Sequence, residues 1–124
     1  MAMKSVLVVE DDPLNAHLLS LYLRAHGYRP YVARDGVAGV ASFEKNQQDL
    51  VLIDVQLPRK NGFEVCFDVK RTAAGRDTPV LLMSAVYTDE EHAARYSEDL
   101  HAEGYLMKPF DMNELLDRVR NLIG

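Results

Sequence analysis

Five short aliphatic runs, each followed by a longer segment with helical spacing, constrain this chain more than any other feature. The runs are Val6-Leu7-Val8-Val9, Tyr31-Val32-Ala33, Leu50 to Val55, Val80 to Met83 and Tyr105-Leu106-Met107. Apolar runs of this length without polar alternation fit strands that are covered on both faces. Between them, Asp12 and Pro13 read as an N-cap and a first helical residue. Leu14, Leu18, Leu21 and Ala25 follow at helical spacing as an apolar stripe, and Gly27 ends that helix. Asp35 caps a second helix carrying Val37, Val40, Ala41 and Phe43. Gly62 opens a third, with Phe63, Cys66 and Val69 or Lys70 as its face. Asp89 to about His101 is a weaker helix, and a last one from about Asp111 carries Leu115, Leu116, Val119 and Ile123. Five strand–helix units in succession demand an α/β domain whose parallel sheet has helices on both faces. Such sheets take their ligands beyond the carboxyl ends of the strands.

At 124 residues, 48% of them hydrophobic, the chain fits one domain with its own core, expected to span residues 1–124. No apolar run approaches the roughly 20 residues of a membrane span, and no basic-then-apolar leader precedes Val6. A cytoplasmic protein without membrane contact is expected. The single cysteine, Cys66, excludes thiol metal clusters and internal disulfides and reads as a buried thiol. A net charge of −5 argues against direct binding of nucleic acid, which calls for clustered Lys and Arg.

The strand ends carry the chemistry. Glu10-Asp11 follows the first strand, Asp54 ends the third, Ser84 the fourth, and Lys108-Pro109 follows the fifth. Singly, each could be a cap or a turn; Asp12, directly before Pro13, serves better as an N-cap than as a ligand. Together, three converging carboxylates repel one another unless a cation sits among them. Oxygen-only donors suit a hard divalent ion, and Mg²⁺ takes one or two carboxylates while keeping waters that a phosphate can displace. Lys108 can balance a second oxygen of a phosphoryl group, and Ser84 can hydrogen-bond a third. This is equipment for phosphoryl transfer, with Asp54 as the nucleophile that forms an acyl phosphate.

The segments VLVVEDDP, VLIDVQLPRKNG, LLMSA and GYLMKPF, in this order and spacing, resemble a response-regulator receiver domain over essentially the whole chain. The resemblance implies a flavodoxin-like, doubly wound, five-stranded parallel sheet of order 2-1-3-4-5 with five helices. It implies that Asp11 binds Mg²⁺ (with Mn²⁺ as an alternative) directly and Glu10 through water, joined by Asp54 and the backbone carbonyl of Gln56. It further implies that Asp54 accepts the phosphoryl group and that Ser84 moves toward it while Lys108 pairs with it. Tyr105 would be the aromatic that changes rotamer with Ser84, and the Lys108–Pro109 bond would be cis. Gln56 and Ala85 would tune the phosphoryl lifetime. The implied donor is a histidine kinase or histidine phosphotransfer protein. The implied downstream partner, a protein or effector domain, meets the fourth helix, fifth strand and fifth helix.

The stretch between Ser84 and Lys108 departs from this pattern. It is about two residues longer than usual and carries six acids (Asp89, Glu90, Glu91, Glu98, Asp99, Glu103) against one Arg. Its apolar spacing is poor, so a mobile or irregular fourth helix is expected there. His17, His26, His92 and His101 lie away from the strand ends, which argues against an internal phosphohistidine relay. A phosphorylation-dependent switch, catalysing only its own phosphorylation and dephosphorylation, is therefore expected rather than an enzyme. The alternative is a phosphorylation-independent interaction module on the same fold, which the complete acid, hydroxyl and lysine set disfavours. A phosphatase would need room for a substrate loop after Glu10-Asp11, and a flavin carrier a phosphate-cradling loop; Asp12-Pro13 supplies neither. No effector domain follows within the sequence, which fits either a single-domain regulator or the receiver of a longer one.

Overall fold

The structure, a computed structural model, describes residues 3–85 and 100–124. Its strands are β1 (Ser5–Val9), β2 (Arg29–Ala33), β3 (Leu50–Asp54), β4 (Val80–Ser84) and β5 (Gly104–Met107). They form one sheet in the order β2-β1-β3-β4-β5, every neighbouring pair parallel. Among the described residues the helices are α1 (Pro13–Ala25), α2 (Gly36–Lys45), α3 (Gly62–Lys70), a short α4 (Ala73–Asp77) and α5 (Met112–Ile123).

The three central strands are apolar but for Ser5, Asp54 and Ser84 at their ends, because alternate residues enter two separate cores. Val6, Val8, Leu50, Leu52, Leu81 and Met83 pack with Leu19 and Leu23 of α1 and with Leu115, Leu116 and Val119 of α5. Leu7, Val9, Val51, Ile53, Val80 and Leu82 pack on the other side with Phe43 of α2 and with Val65, Cys66 and Val69 of α3. Helix α1, between β1 and β2, thus covers one face, while α2 and α3, on either side of β3 in the chain, cover the other. The topological switch point is the gap between the carboxyl ends of β1 and β3.

Helix starts obey local chemistry. The side chains of Asp12, Asp35, Asn61, Thr72 and Asp111 each accept a backbone N–H of the turn that follows. Gly27, at φ 91°, turns the chain out of α1 in a conformation that disfavours side chains.

Three expectations need correction. The α1 stripe Leu14-Leu18-Leu21 faces outward, with Leu14 63% exposed, and the buried side is Ala16, Leu19 and Leu23. Both sides of α1 are apolar, and at 100° per residue they lie nearly opposite each other. Spacing alone could not choose between them. On α2, Phe43 is buried as expected, but Val37 and Ala41 are exposed, and Gly36 and Gly39 share the buried side. Helix α4 was not foreseen; Thr72 starts it where the segment is too short to show a period. The weak helix expected from Asp89 to about His101 lies outside the described residues except for Leu100 and His101, which occupy a turn.

Candidate metal and phosphoryl site at the switch point

Glu10 is the residue after β1, and its backbone N–H donates to the carbonyl of Ala33 at 3.0 Å. This edge contact extends the β1–β2 pairing by one residue and points the side chain into the sheet's carboxyl edge, where it is 1% exposed. Asp54, the last residue of β3, is buried beside it. Asp11 is exposed at the rim, and ligand oxygens of Glu10, Asp11 and Asp54 lie within 4.8 Å of one another.

Lys108 leaves β5 over this trio. Its backbone N–H donates to the carbonyl of Ser84 at 3.0 Å, and the following peptide bond to Pro109 is cis. Its ammonium donates to Asp54 Oδ2 at 3.0 Å and to Glu10 Oε1 at 3.3 Å. The second Asp54 oxygen, Oδ1, accepts the backbone N–H of Gln56 at 3.0 Å. Ser84 is fully buried at the end of β4, and Tyr105 of β5 stands with its phenol against it. Burial pushes that phenol up, the Ser84 contact lowers it, and the charge of Asp54 raises it again.

Charge crowding is visible in the titration of the site. The Glu10 carboxyl is raised from 4.5 to about 7, first by burial and then by neighbouring Asp54, with Lys108 opposing the rise only in part. For Lys108, burial alone would lower the ammonium, but its bonds and charge contacts with Asp54 and Glu10 raise it overall. Among the described residues Glu10 Oε2 is buried with no hydrogen-bond partner. An unpartnered carboxylate oxygen in a cluster of three acids is a hard donor suited to a divalent cation, so the donor set fits Mg²⁺ on its own chemistry.

The geometry brings together Glu10, Asp11, Asp54, Ser84, Tyr105 and Lys108, with Gln56 bound to Asp54 through its N–H. Asp12 caps α1, accepting the N–H of Leu14 at 3.2 Å, and is no member of the acid trio. Cys66 lies on the buried face of α3, where desolvation pushes its thiol up to about 12. Two contributors were not foreseen. Gly62 passes directly behind Asp54, so that a Cβ there would collide with the Asp54 and Val55 backbone. Arg34, the residue after β2, donates from Nη2 to the backbone carbonyl of Asp11 at 2.6 Å. The rule that ligands gather at strand ends could have flagged Arg34, but the close approach of Gly62 had no signal in sequence.

A small doubly wound domain with an acid trio and a lysine at its switch point defines a narrow class of α/β proteins. The response regulator receiver domain model matches residues 6–120, and the chain belongs to that family of two-component signalling domains. It is 37% identical over 121 residues to the DNA-binding dual master transcriptional regulator RpaA of Synechocystis, covering 98% of this chain and 49% of that protein. The chain spans about half the length of the curated relatives it matches. Among solved structures, the chemotaxis response regulator CheY4 of Vibrio cholerae superposes with a TM-score of 0.90 at 29% identity, covering 98% of this chain and 99% of that one. The receiver domain of the sensor histidine kinase PA1611 of Pseudomonas aeruginosa superposes with a TM-score of 0.88 at 29% identity, covering 99% of each chain. That domain holds a magnesium ion in its active-site cleft. The chain is accordingly a signalling switch of the two-component type and not a classical enzyme. Among the described residues no helix is long and apolar enough to cross a membrane.

Proposed function

We propose that Asp54 takes a phosphoryl group from a phosphohistidine donor, a histidine kinase or histidine phosphotransfer protein, and that the domain catalyses only this transfer and the hydrolysis of the resulting acyl phosphate. The observation that carries the reading is Lys108 bonded to both Asp54 and Glu10 within an acid trio that, among the described residues, keeps a buried, unpartnered oxygen. Glu10, Asp11, Asp54 and the Gln56 carbonyl would hold Mg²⁺, and Mn²⁺ would suit the same oxygens. When bound, the ion neutralises phosphoryl oxygens and so lowers the charge opposing attack.

The protein's own part is positioning. An Asp54 carboxylate oxygen attacks phosphorus; its P–O bond forms as the donor P–N bond breaks, and the electron pair returns to the imidazole nitrogen. Lys108 exchanges its carboxylate partners for a phosphoryl oxygen, and Ser84 donates its hydroxyl to another. Hydrolysis by water at phosphorus restores Asp54 and releases phosphate; Gln56 and Ala85, flanking the site, govern access for that water. The movement of Ser84 draws Tyr105 with it and alters the β5–α5 surface, where a downstream protein or effector domain reads the state. The domain is taken as residues 1–124, acting in the cytoplasm. Direct contact with nucleic acid is not assigned to this chain, whose net charge is −5.

Intact mass after incubation with acetyl phosphate tests the reading. The expected result is one phosphoryl adduct that requires Mg²⁺ and is absent from Asp54→Ala. No adduct under any condition would leave the phosphorylation-independent module as the better account.

A further inference from the structure

We infer that Arg34 is a positioning residue for the divalent-cation site, acting through the backbone of Asp11. The inference rests on the proposed cation-binding role of Glu10, Asp11 and Asp54. Glu10 and Asp54 are buried and their carboxylates are gripped by Lys108 and by the Gln56 N–H. Asp11 is exposed, and among the described residues its carboxylate is held by no hydrogen bond or ion pair. Its direction is therefore set by its backbone.

Three anchors fix that backbone, one at each successive residue. The Glu10 N–H is bound to Ala33, the Asp11 carbonyl accepts Arg34 Nη2 at 2.6 Å, and Asp12 is committed as the cap of α1. Only the Arg34 bond belongs to Asp11 itself. The loop that carries Arg34 is in turn braced on the other side of the switch point, where the Gly36 N–H donates to the Pro58 carbonyl at 3.3 Å. Arg34 thus links the loop after β1 to a frame shared with the loop after β3. A charge-assisted bond to a carbonyl at this distance is among the stronger kinds. An outer-shell partner that orients a metal ligand typically contributes a factor of about 10–100 in metal affinity. Because Arg34 is exposed to solvent, the lower end applies, about tenfold.

The test is calorimetric titration of the unphosphorylated domain with Mg²⁺, with no phosphoryl donor present. Arg34→Met keeps the aliphatic stem and removes the donors; Arg34→Lys keeps one cationic donor; Arg29→Ala removes the same charge from the other end of β2. The expected result is binding weakened about tenfold in R34M, the low end for loss of an outer-shell partner, largely restored in R34K, and unchanged in R29A. The melting midpoint of metal-free R34M, expected to match the wild type, separates lost positioning from lost folding. Should R34M unfold, Arg34→Gln, which removes the charge and shortens the reach while keeping a polar side chain, carries the test, and Mg²⁺ affinity in R34Q equal to the wild type would overturn the inference. Equal Mg²⁺ affinity in R34M and wild type would overturn it, as would equal weakening in R34M and R29A, which marks a general charge effect. A wild-type domain that binds no Mg²⁺ would overturn the site reading itself, and this one with it.

Discussion

At the scale of single residues, the site depends on how closely backbone can approach backbone. Gly62 lies against the Asp54 carbonyl and the Val55 Cα, and its N–H donates to the Val55 carbonyl at 2.8 Å. A side chain there meets rigid main chain rather than the end of a flexible neighbour. Gly62→Ala is expected to destabilise the domain by about 1–3 kcal/mol, the usual range for overpacking. It should also displace the Asp54 loop. Urea unfolding checks this, and an unchanged midpoint would mean that the loop yields freely and does not hold Asp54 in place. The acids, hydroxyl and lysine were legible in sequence because charged or polar residues directly after apolar runs stand out. Gly62 read only as a helix start, since the feature that matters is a neighbour in space.

At the scale of elements, α1 is the instructive case. Its caps were legible because they are local: Asp12, Pro13 and Gly27 act on atoms within a turn. Its orientation was not, because Leu14, Leu18 and Leu21 form as good a stripe as Ala16, Leu19 and Leu23. The sheet chose the second, and left an exposed apolar row on a helix that starts beside Asp11. Leu18 also lines a cavity of about 430 Å³ with Glu10, Lys108 and Phe110, so the row is continuous with the site. Exposed apolar patches of this kind mark contact surfaces. Leu18→Glu is expected to slow phosphoryl transfer from a protein donor by about fivefold or more, the effect of losing roughly 1 kcal/mol of contact. Transfer from acetyl phosphate, which needs no docking surface, should stay within a factor of two of wild type by the same reasoning. Equal slowing with both donors would show that Leu18 supports the site rather than a partner.

At the scale of the whole molecule, burial of Glu10 ties folding to pH. Its carboxyl moves from 4.5 in the unfolded chain to about 7 in the folded one, so the folded state holds the proton more tightly. The resulting stability is fully present below 4.5 and is lost as pH rises through about 7. The metal-free domain is therefore expected to melt at lower temperature as pH rises across that interval, and Glu10→Gln should flatten the slope. Saturating Mg²⁺ should flatten it too, because a bound cation favours the charged carboxylate. A slope that survives both changes would assign the effect to other groups. The sequence by itself determined the strand–helix alternation, the caps and the chemical cast of the site, because these follow from period, local hydrogen bonding and residue type. Tertiary structure alone decided which side of α1 is buried and which neighbours crowd Asp54. It also decided that Arg34, 23 residues from Asp11, reaches its carbonyl. Those outcomes depend on contacts between segments remote in the chain, and such contacts leave no periodic trace in either segment.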